Sequence, residues 1–391
     1  MSFQVALSGL NAASTDLRVT SNNIANANTT AFKSSRAEFA DVFTGDAVGI
    51  GAGVRLSTVR QDFGQGNVDI TERQLDLAIN GKGFFVLSDN GSRLYSRAGS
   101  FGLNAEGYVQ NAENERLQVY EPLATGGFNQ GQLIDLRIQS ETLPPVATTL
   151  VEMNVNLPAT ATPPVAAPFS PTDSETYNHS TSTVVFDTLG VAHTATYFFI
   201  KTAAGWDVAT TIDGNVNGTP QPLEFSSTGR VSTPASGLLS FPTYDPANGA
   251  EPLTVGLNVL QSTQFGSSFV VNSLNPDGQT EGRLRNIEID QTGVVFARFS
   301  NGRANAIGKI ALADFPNPEG LAKVSDTSFQ QTFSSGNPAL GEATESTFGL
   351  IQAGGLESSN VDLTEQLVRT ITAQRLFQAN AQVISAFDEI T

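Results

Sequence analysis

The chain of 391 residues contains no cysteine. That excludes disulfide staples, thiolate nucleophiles and Cys-ligated metals, and such a chain crosses redox compartments unchanged. Basic residues are scarce: 21 Lys and Arg stand against 38 Asp and Glu, a net charge of −17. No basic stripe is available to neutralise phosphates or to dock on anionic lipid, so neither nucleic acid nor a membrane is expected as a partner. Repulsion between copies keeps stray monomers soluble. Long apolar runs are also missing. The longest uncharged stretch, Pro252–Pro276, is full of Gln, Ser, Asn and Gly, and its Leu253, Val255, Leu257, Val259 alternation has a strand's period. The first basic residue is Arg18, with no apolar core after a charged start. We therefore expect neither a transmembrane helix nor a cleaved secretory signal.

Site chemistry is thin as well. The two histidines, His179 and His193, are accompanied by no Gly-x-Ser-x-Gly and no thiol, and read as solvated or core residues. No acidic pair is placed for acid–base work. Asp213, Asn215, Asn217, Gly218 and Glu224 match the spacing of an EF-hand calcium loop. Strand-like residues flank them where helices are required, and Pro220 and Pro222 sit inside, so a surface β-turn is expected, with a weak calcium site as the alternative. Gly49, Gly51 and Gly53 have the look of a phosphate loop without its spacing or a following Lys-Ser/Thr, and read as a flexible or turning linker. We expect no enzymatic activity, no cofactor and no metal.

What is present lies at the two ends. Leu7, Leu10, Ser14, Leu17, Ser21 and Ile24 fall at alternating steps of three and four, with Ala6 and Ala13 beside them. That is the heptad stripe of an amphipathic helix seeking another helix. Ser2 suits its N-cap and the Asn26–Thr30 cluster its end. Leu363, Leu367, Ile371, Phe377, Ala381 and Ile384 form a second stripe, and no Gly or Pro interrupts residues 361–391, room for a helix about 45 Å long. The first stripe's large side chains contribute roughly 6–12 kcal/mol on burial, against roughly 25–50 kcal/mol of backbone entropy for its ~25 residues. We therefore expect both ends to be largely disordered in a lone molecule. They should become helical when many copies pack, with these two stripes as the assembly interface.

Between the ends the chain is β-like, enough for about two to four domains. Val54, Leu56 and Val59 read as a strand in a connecting segment, residues 33–70. Phe84–Leu87, the turn Asn90-Gly91 and Arg93–Arg97 read as a hairpin. Composition then shifts: 14 of the 18 prolines, but only Lys201 and Arg230 of the basic residues, fall within 144–276. Inside it, Val184–Phe186, Tyr197–Ile200, Trp206–Val208, Leu223–Phe225 and Leu253–Val259 read as strands. After 277 the earlier character returns, with strands at Ile287–Ile289, Val294–Phe299 and Ile307–Leu312. The expected fold is multidomain. Paired terminal helices (1–32 and 358–391) form a coiled-coil inner core, and an inner all-β domain (71–143 and 277–357) carries an inserted outer β domain (144–276).

Several stretches are specific enough to mark a resemblance. They are Leu7-Ser8-Gly9-Leu10-Asn11-Ala12-Ala13, Asn22-Asn23-Ile24-Ala25-Asn26 and Ala31-Phe32-Lys33-Ser34 near the start; Ile79-Asn80-Gly81-Lys82-Gly83-Phe84-Phe85 and Tyr95-Ser96-Arg97-Ala98-Gly99-Ser100-Phe101 in the inner domain; and Gly355-Leu356-Glu357-Ser358-Ser359-Asn360-Val361-Asp362-Leu363, Ala373-Gln374-Arg375 and Gln378-Ala379-Asn380-Ala381-Gln382 near the end. In this order they resemble the bacterial flagellar hook proteins. The terminal motifs are shared across axial rod, hook and hook–filament junction proteins, and the large outer lobe favours hook over distal rod.

The resemblance implies a self-assembling subunit of a curved tube, a universal joint carrying torque from motor to filament. It implies export by the flagellar type III export apparatus without a cleaved signal. The implied partners are further copies, the distal rod protein, the hook cap protein and the hook–filament junction protein. Family members usually continue a turn or more beyond Asp388-Glu389-Ile390-Thr391, and two acids at a helix C-terminus oppose its dipole. A distal rod or other axial protein is the near alternative. A secreted β-rich binding module is the remote one, since it needs no heptads at both ends.

Overall fold

The computed structural model describes residues 2–42, 51–139, 142–345 and 347–390. Phe43, Gly49 and Thr391 lie outside the described residues. The protein is mostly β, in several sheets, with one long helix at each end. It divides into two compact units, residues 1–139, 286–298 and 304–391, and residues 140–285 with 299–303.

In the first unit, α1 (Ser2–Ala25) leads into β1 (Ser35–Asp41) and β2 (Val54–Gln61), which pair antiparallel. The segment read as a linker is thus largely structured, because β1 and β2 satisfy each other's backbone groups along α1. β3 (Val68–Ile70) pairs with Gly355–Glu357, and β4 (Leu77–Asn80) with Leu350–Ala353. β5 (Phe84–Asp89) and β6 (Ser92–Ser96) form the expected hairpin inside a 12-stranded sheet. Asn90 and Gly91 take φ of 49° and 91°, the left-handed pair that matches the twist of flanking strands. Phe85, Leu87, Leu117 and Val119 of this sheet, and Leu77 and Ile79 of β4, are all fully buried. Phe84, Tyr95, Phe315 and Phe329 meet edge-to-face beside it.

The second unit holds a six-stranded and a five-stranded sheet around Trp206, Tyr197, Phe199, Met153 and Val155. Four of the five strands expected there form in full, and the fifth in part. Leu253, Val255, Leu257 and Val259 are all buried, although the strand itself covers only Gly256–Asn258. Asp213 and Gly214, at φ 51° and 80°, turn the chain between Trp206–Ile212 and Asn215–Val216. This is the β-turn read from the calcium-loop spacing, and its carboxylates are committed elsewhere. Asp213 accepts from His193 Nδ1 at 2.6 Å and from Thr194 N at 2.9 Å, while Glu224 accepts from Thr233 Oγ1 at 3.0 Å.

Both histidines are structural. His179 stacks on Phe269 with centroids 4.5 Å apart. His193 is buried, with Nδ1 on Asp213 and Nε2 3.3 Å from Asp187. Burial alone lowers the pKa of His193, but its bonds to the two carboxylates outweigh this and hold it above the usual 6.5. Burial raises the two carboxyls, and their hydrogen bonds, led by Asn248 for Asp187 and by His193 for Asp213, bring both below 3.8.

The sign follows from linkage. The raised imidazolium stabilises the fold fully below about pH 6.5, and that contribution fades as pH rises through its folded value. The depressed carboxylates keep their share until pH falls through their own lowered values. Melting of this unit, followed by the fluorescence of its single tryptophan, is expected to fall between pH 6 and 9. His193→Gln is expected to flatten that limb.

Candidate assembly interface

The interface is built outward from one carboxylate. Glu357 is completely buried, its Oε1 accepting from Lys33 Nζ at 2.6 Å and from Gly66 N at 2.9 Å. Its Oε2 accepts from Arg97 Nε at 3.0 Å. Both cations also donate to backbone carbonyls. Lys33 Nζ reaches Gly64 O at 2.7 Å, and Arg97 Nη1 reaches Gly81 O at 2.9 Å and Gly83 O at 2.6 Å. Gly81 and Gly83 sit at φ 122° and 119°, backbone that a side chain would strain. A Cβ on Gly66 would lie 2.1 Å from Ser358 O. Burial pulls the Lys33 ammonium below its usual 10.5, with Glu357 opposing the shift.

This cluster fixes the roots of both helices. Ala31 N donates to the Glu357 carbonyl at 2.7 Å, at the exit from α1. Asn360 accepts from Ser34 N at 2.8 Å and donates to Asp62 O and Gly64 O. Asp362 then caps α2 (Leu363–Ile390) by accepting from Thr364 N and Glu365 N.

The helices run antiparallel, and their shared seam is small and polar. On α1 the buried positions are Ala6, Ala13, Thr20 and Asn23; on α2 they are Gln366 and Ala373. A Cβ on Gly9 would come within 2.7 Å of Asn380 Oδ1. Asn23 Nδ2 donates to Gln366 Oε1 at 3.0 Å and Ser35 O at 2.7 Å, while Ser35 N returns a bond to Asn23 Oδ1. A buried amide of this kind sets register between helices. Both ends are therefore helical and paired within one chain, contrary to the expected disorder. Leucines do not close the seam. Instead close backbone approach and hydrogen bonds close it, with the β1–β2 hairpin braced alongside through Val54 N on Ser8 Oγ.

The two stripes read from the sequence are split by this geometry. Phe377, Ala381 and Ile384 are partly buried, and Leu10, Leu17 and Ile24 are half-buried. Leu7 is 41% exposed, and Leu363, Leu367 and Ile371 are 47%, 54% and 50% exposed. Phe3, Val368, Leu376 and Val383 add further open apolar surface. The lone chain leaves uncovered the side chains best able to hold a helix down, and a surface of that kind marks an interaction site. The ionic cluster was not found by sequence reasoning. Its only signal was charge set among Gly, Ser and apolar residues in the motifs at 31–34, 95–101 and 355–363.

Glu357→Gln keeps the shape and strands two buried cations. Chemical denaturation is expected to show a loss of about 3–5 kcal/mol.

Four family models match along the chain: Flagella basal body rod protein at residues 3–33, Flagellar hook protein FlgE/F/G D1 domain at 78–163, Flagellar basal body protein FlaE D2 domain at 156–279, and Flagellar basal body rod FlgEFG protein C-terminal at 352–391. The chain is 39% identical over 399 residues to the flagellar hook protein FlgE of Escherichia coli, covering 100% of this chain and 98% of that protein. Identity to the flagellar hook protein FlgE of Salmonella typhimurium is 38% over 401 residues, covering 100% of this chain and 98% of that protein. For that of Rhizobium meliloti it is 32% over 406 residues, covering 99% and 96%. The crystal structure of Helicobacter pylori flagellar hook protein FlgE2 aligns with a TM-score of 0.57 at 17% identity. It covers 74% of this chain and 100% of that one, a likeness of fold.

Proposed function

Because the chain belongs to the flagellar hook protein family, we propose that it is a structural, non-catalytic subunit of the flagellar hook. Copies self-assemble into a curved, flexible tube that passes torque from the rod to the filament. The observation carrying this reading is the helix pair. Its seam closes through Ala6, Gly9, Ala13 and Asn23, and Leu7, Leu363, Leu367 and Ile371 remain open for neighbouring copies.

Burying one such side chain contributes about 1.5–3 kcal/mol, so several per subunit make a firm inner tube. In this reading 1–32 and 358–391 form that inner tube, and 71–143 with 277–357 form an inner β domain. Residues 144–276 form an inserted outer domain; the compact unit spanning residues 140–285 supports this division. The outer domain, poor in charge, meets its neighbours through contacts that break and reform as each row lengthens and shortens in rotation.

The subunit works outside the cell, in the hook. The partners that follow are the distal rod protein at the base, the hook–filament junction protein at the far end, the hook cap protein during growth, and the type III export apparatus that delivers the chain without a cleaved signal.

Electron microscopy of the concentrated protein is expected to reveal tubes; a wild-type chain that stays monomeric overturns the reading. Leu367→Glu combined with Ile371→Glu is expected to abolish tubes while the stability of the monomer, followed by far-ultraviolet circular dichroism, stays within about 0.5 kcal/mol, as for exposed positions. Removing 144–276 is expected to straighten or stiffen the tube without abolishing its growth.

A further inference from the structure

The first unit holds one aromatic ring entirely out in solvent. Phe333 is 104% exposed, the most exposed large apolar residue among those described. The loop presenting it is rigid. Thr332 N donates to Ser335 Oγ at 2.9 Å, Ser335 Oγ donates to Thr332 O at 2.9 Å, and Thr332 Oγ1 donates to Gly320 O at 2.5 Å while accepting from Ser334 N and Ser335 N. Ser335 is fully buried, and a Cβ on Gly320 would lie 2.5 Å from the Ser334 carbonyl carbon, so the loop is clamped on that glycine. A ring presented from a fixed loop docks without the cost of ordering the backbone beneath it, which suits an interface anchor. No charge occurs from Thr327 to Gly341 in a chain of net charge −17, so this face approaches another copy without repulsion.

The same unit carries a groove that fits the ring. It lies between α1 and β2, encloses about 380 Å³ and is lined by Thr15, Arg18, Val19, Leu56 and Val59 among others. The pairing of β1 with β2 shifts between Glu38 and Phe39, so Val59 sits opposite Ala37 and Leu56 opposite Phe39. Residues 37 and 39 share a face, which brings Leu56 and Val59 together towards α1. Both remain open, at 43% and 45% exposed. A cavity of about 150 Å³ suffices for benzene. Arg18 is the one charged lining residue among the described residues, and a guanidinium over a phenyl face is attractive. The neighbouring groove, lined by Arg36, Glu38, Arg60, Asp62 and Glu319, is too charged for a ring.

We propose that Phe333 of one copy docks in the α1–β2 groove of the next. Ring and groove are different patches of one chain, so the contact is head-to-tail and repeats from copy to copy. Such contacts build open helices rather than closed dimers. The proposal rests on the hook-subunit reading and names one contact within it.

The absence of native cysteine makes the test direct. Phe333→Cys and Val59→Cys are made in separate chains, copolymerised with excess wild type and mildly oxidised, with Leu56→Cys as a second partner to allow for register. Disulfide-linked dimers are expected from the mixed polymer, and none from either variant alone or from the mixture kept dilute. Phe333→Ser is expected to raise the concentration needed for polymerisation about tenfold or more at unchanged melting temperature. Polymers that form without either crosslink, or a Phe333→Ser chain polymerising like wild type, overturn the contact and leave the hook reading intact. Wild type that never polymerises overturns both.

Discussion

A single buried carboxylate holds the architecture together. Glu357 lies between Lys33 and Arg97 with no solvent to share its charge. Isolated ions in such a place are unfavourable by several kcal/mol each. The arrangement survives because both cations also donate to carbonyls, Lys33 to Gly64 and Arg97 to Gly81 and Gly83. Hydrophobic replacement often matches a buried ion pair in stability, but an oily contact does not aim. This one aims: the chain leaving α1 is bonded at Ala31 to Glu357, and Asn360, just before the cap of α2 at Asp362, is bonded to Ser34, Asp62 and Gly64. The direction in which the helix pair departs is set by charge geometry, while burial of sheet residues supplies the bulk of the stability.

The helix pair inverts the usual division of labour along a heptad. Its inner face is alanine, glycine, threonine and asparagine; its outer faces carry leucine, isoleucine and valine. The spacing of three and four was legible from the side chains alone, and so was the end of the first helix at Asn26; the cap at Asp362 was not read. Nor was the face. Assigning leucine to the seam assumes that a chain covers its own apolar surface, and a polymer subunit leaves that to its neighbours. The small residues at 6 and 13 were visible, yet nothing local distinguishes a widened leucine stripe from an alanine seam. The clasp of Asn23 on Gln366 decides between them, and it joins residues 343 positions apart.

The β units follow the same rule. Turn chemistry was readable because it is local: Asn90-Gly91 and Asp213-Gly214 must take left-handed backbone, and few other dipeptides do so readily. The alternation at Leu253–Val259 marked a buried run for the same reason. β1 escaped notice because its sequence, Ser-Arg-Ala-Glu-Phe-Ala-Asp, has little β-branched character and becomes a strand only through β2. The ionic cluster escaped because its members come from three distant segments. His193 shows the converse. Two histidines without catalytic company pointed to a structural role, and one of them is the bridge between Asp187 and Asp213.

The separation between Lys33 and Glu357 has a consequence in time. These partners stand 324 residues apart, so the ammonium is synthesised early and its counter-ion almost last. Until then Lys33 has only water for company, and nothing orients α1 against the sheet. Closures over such spans are slow, because the chain must find its own far end before any reward is felt. A growing chain therefore has no fixed heading for its two helices until its C-terminal segment has been made.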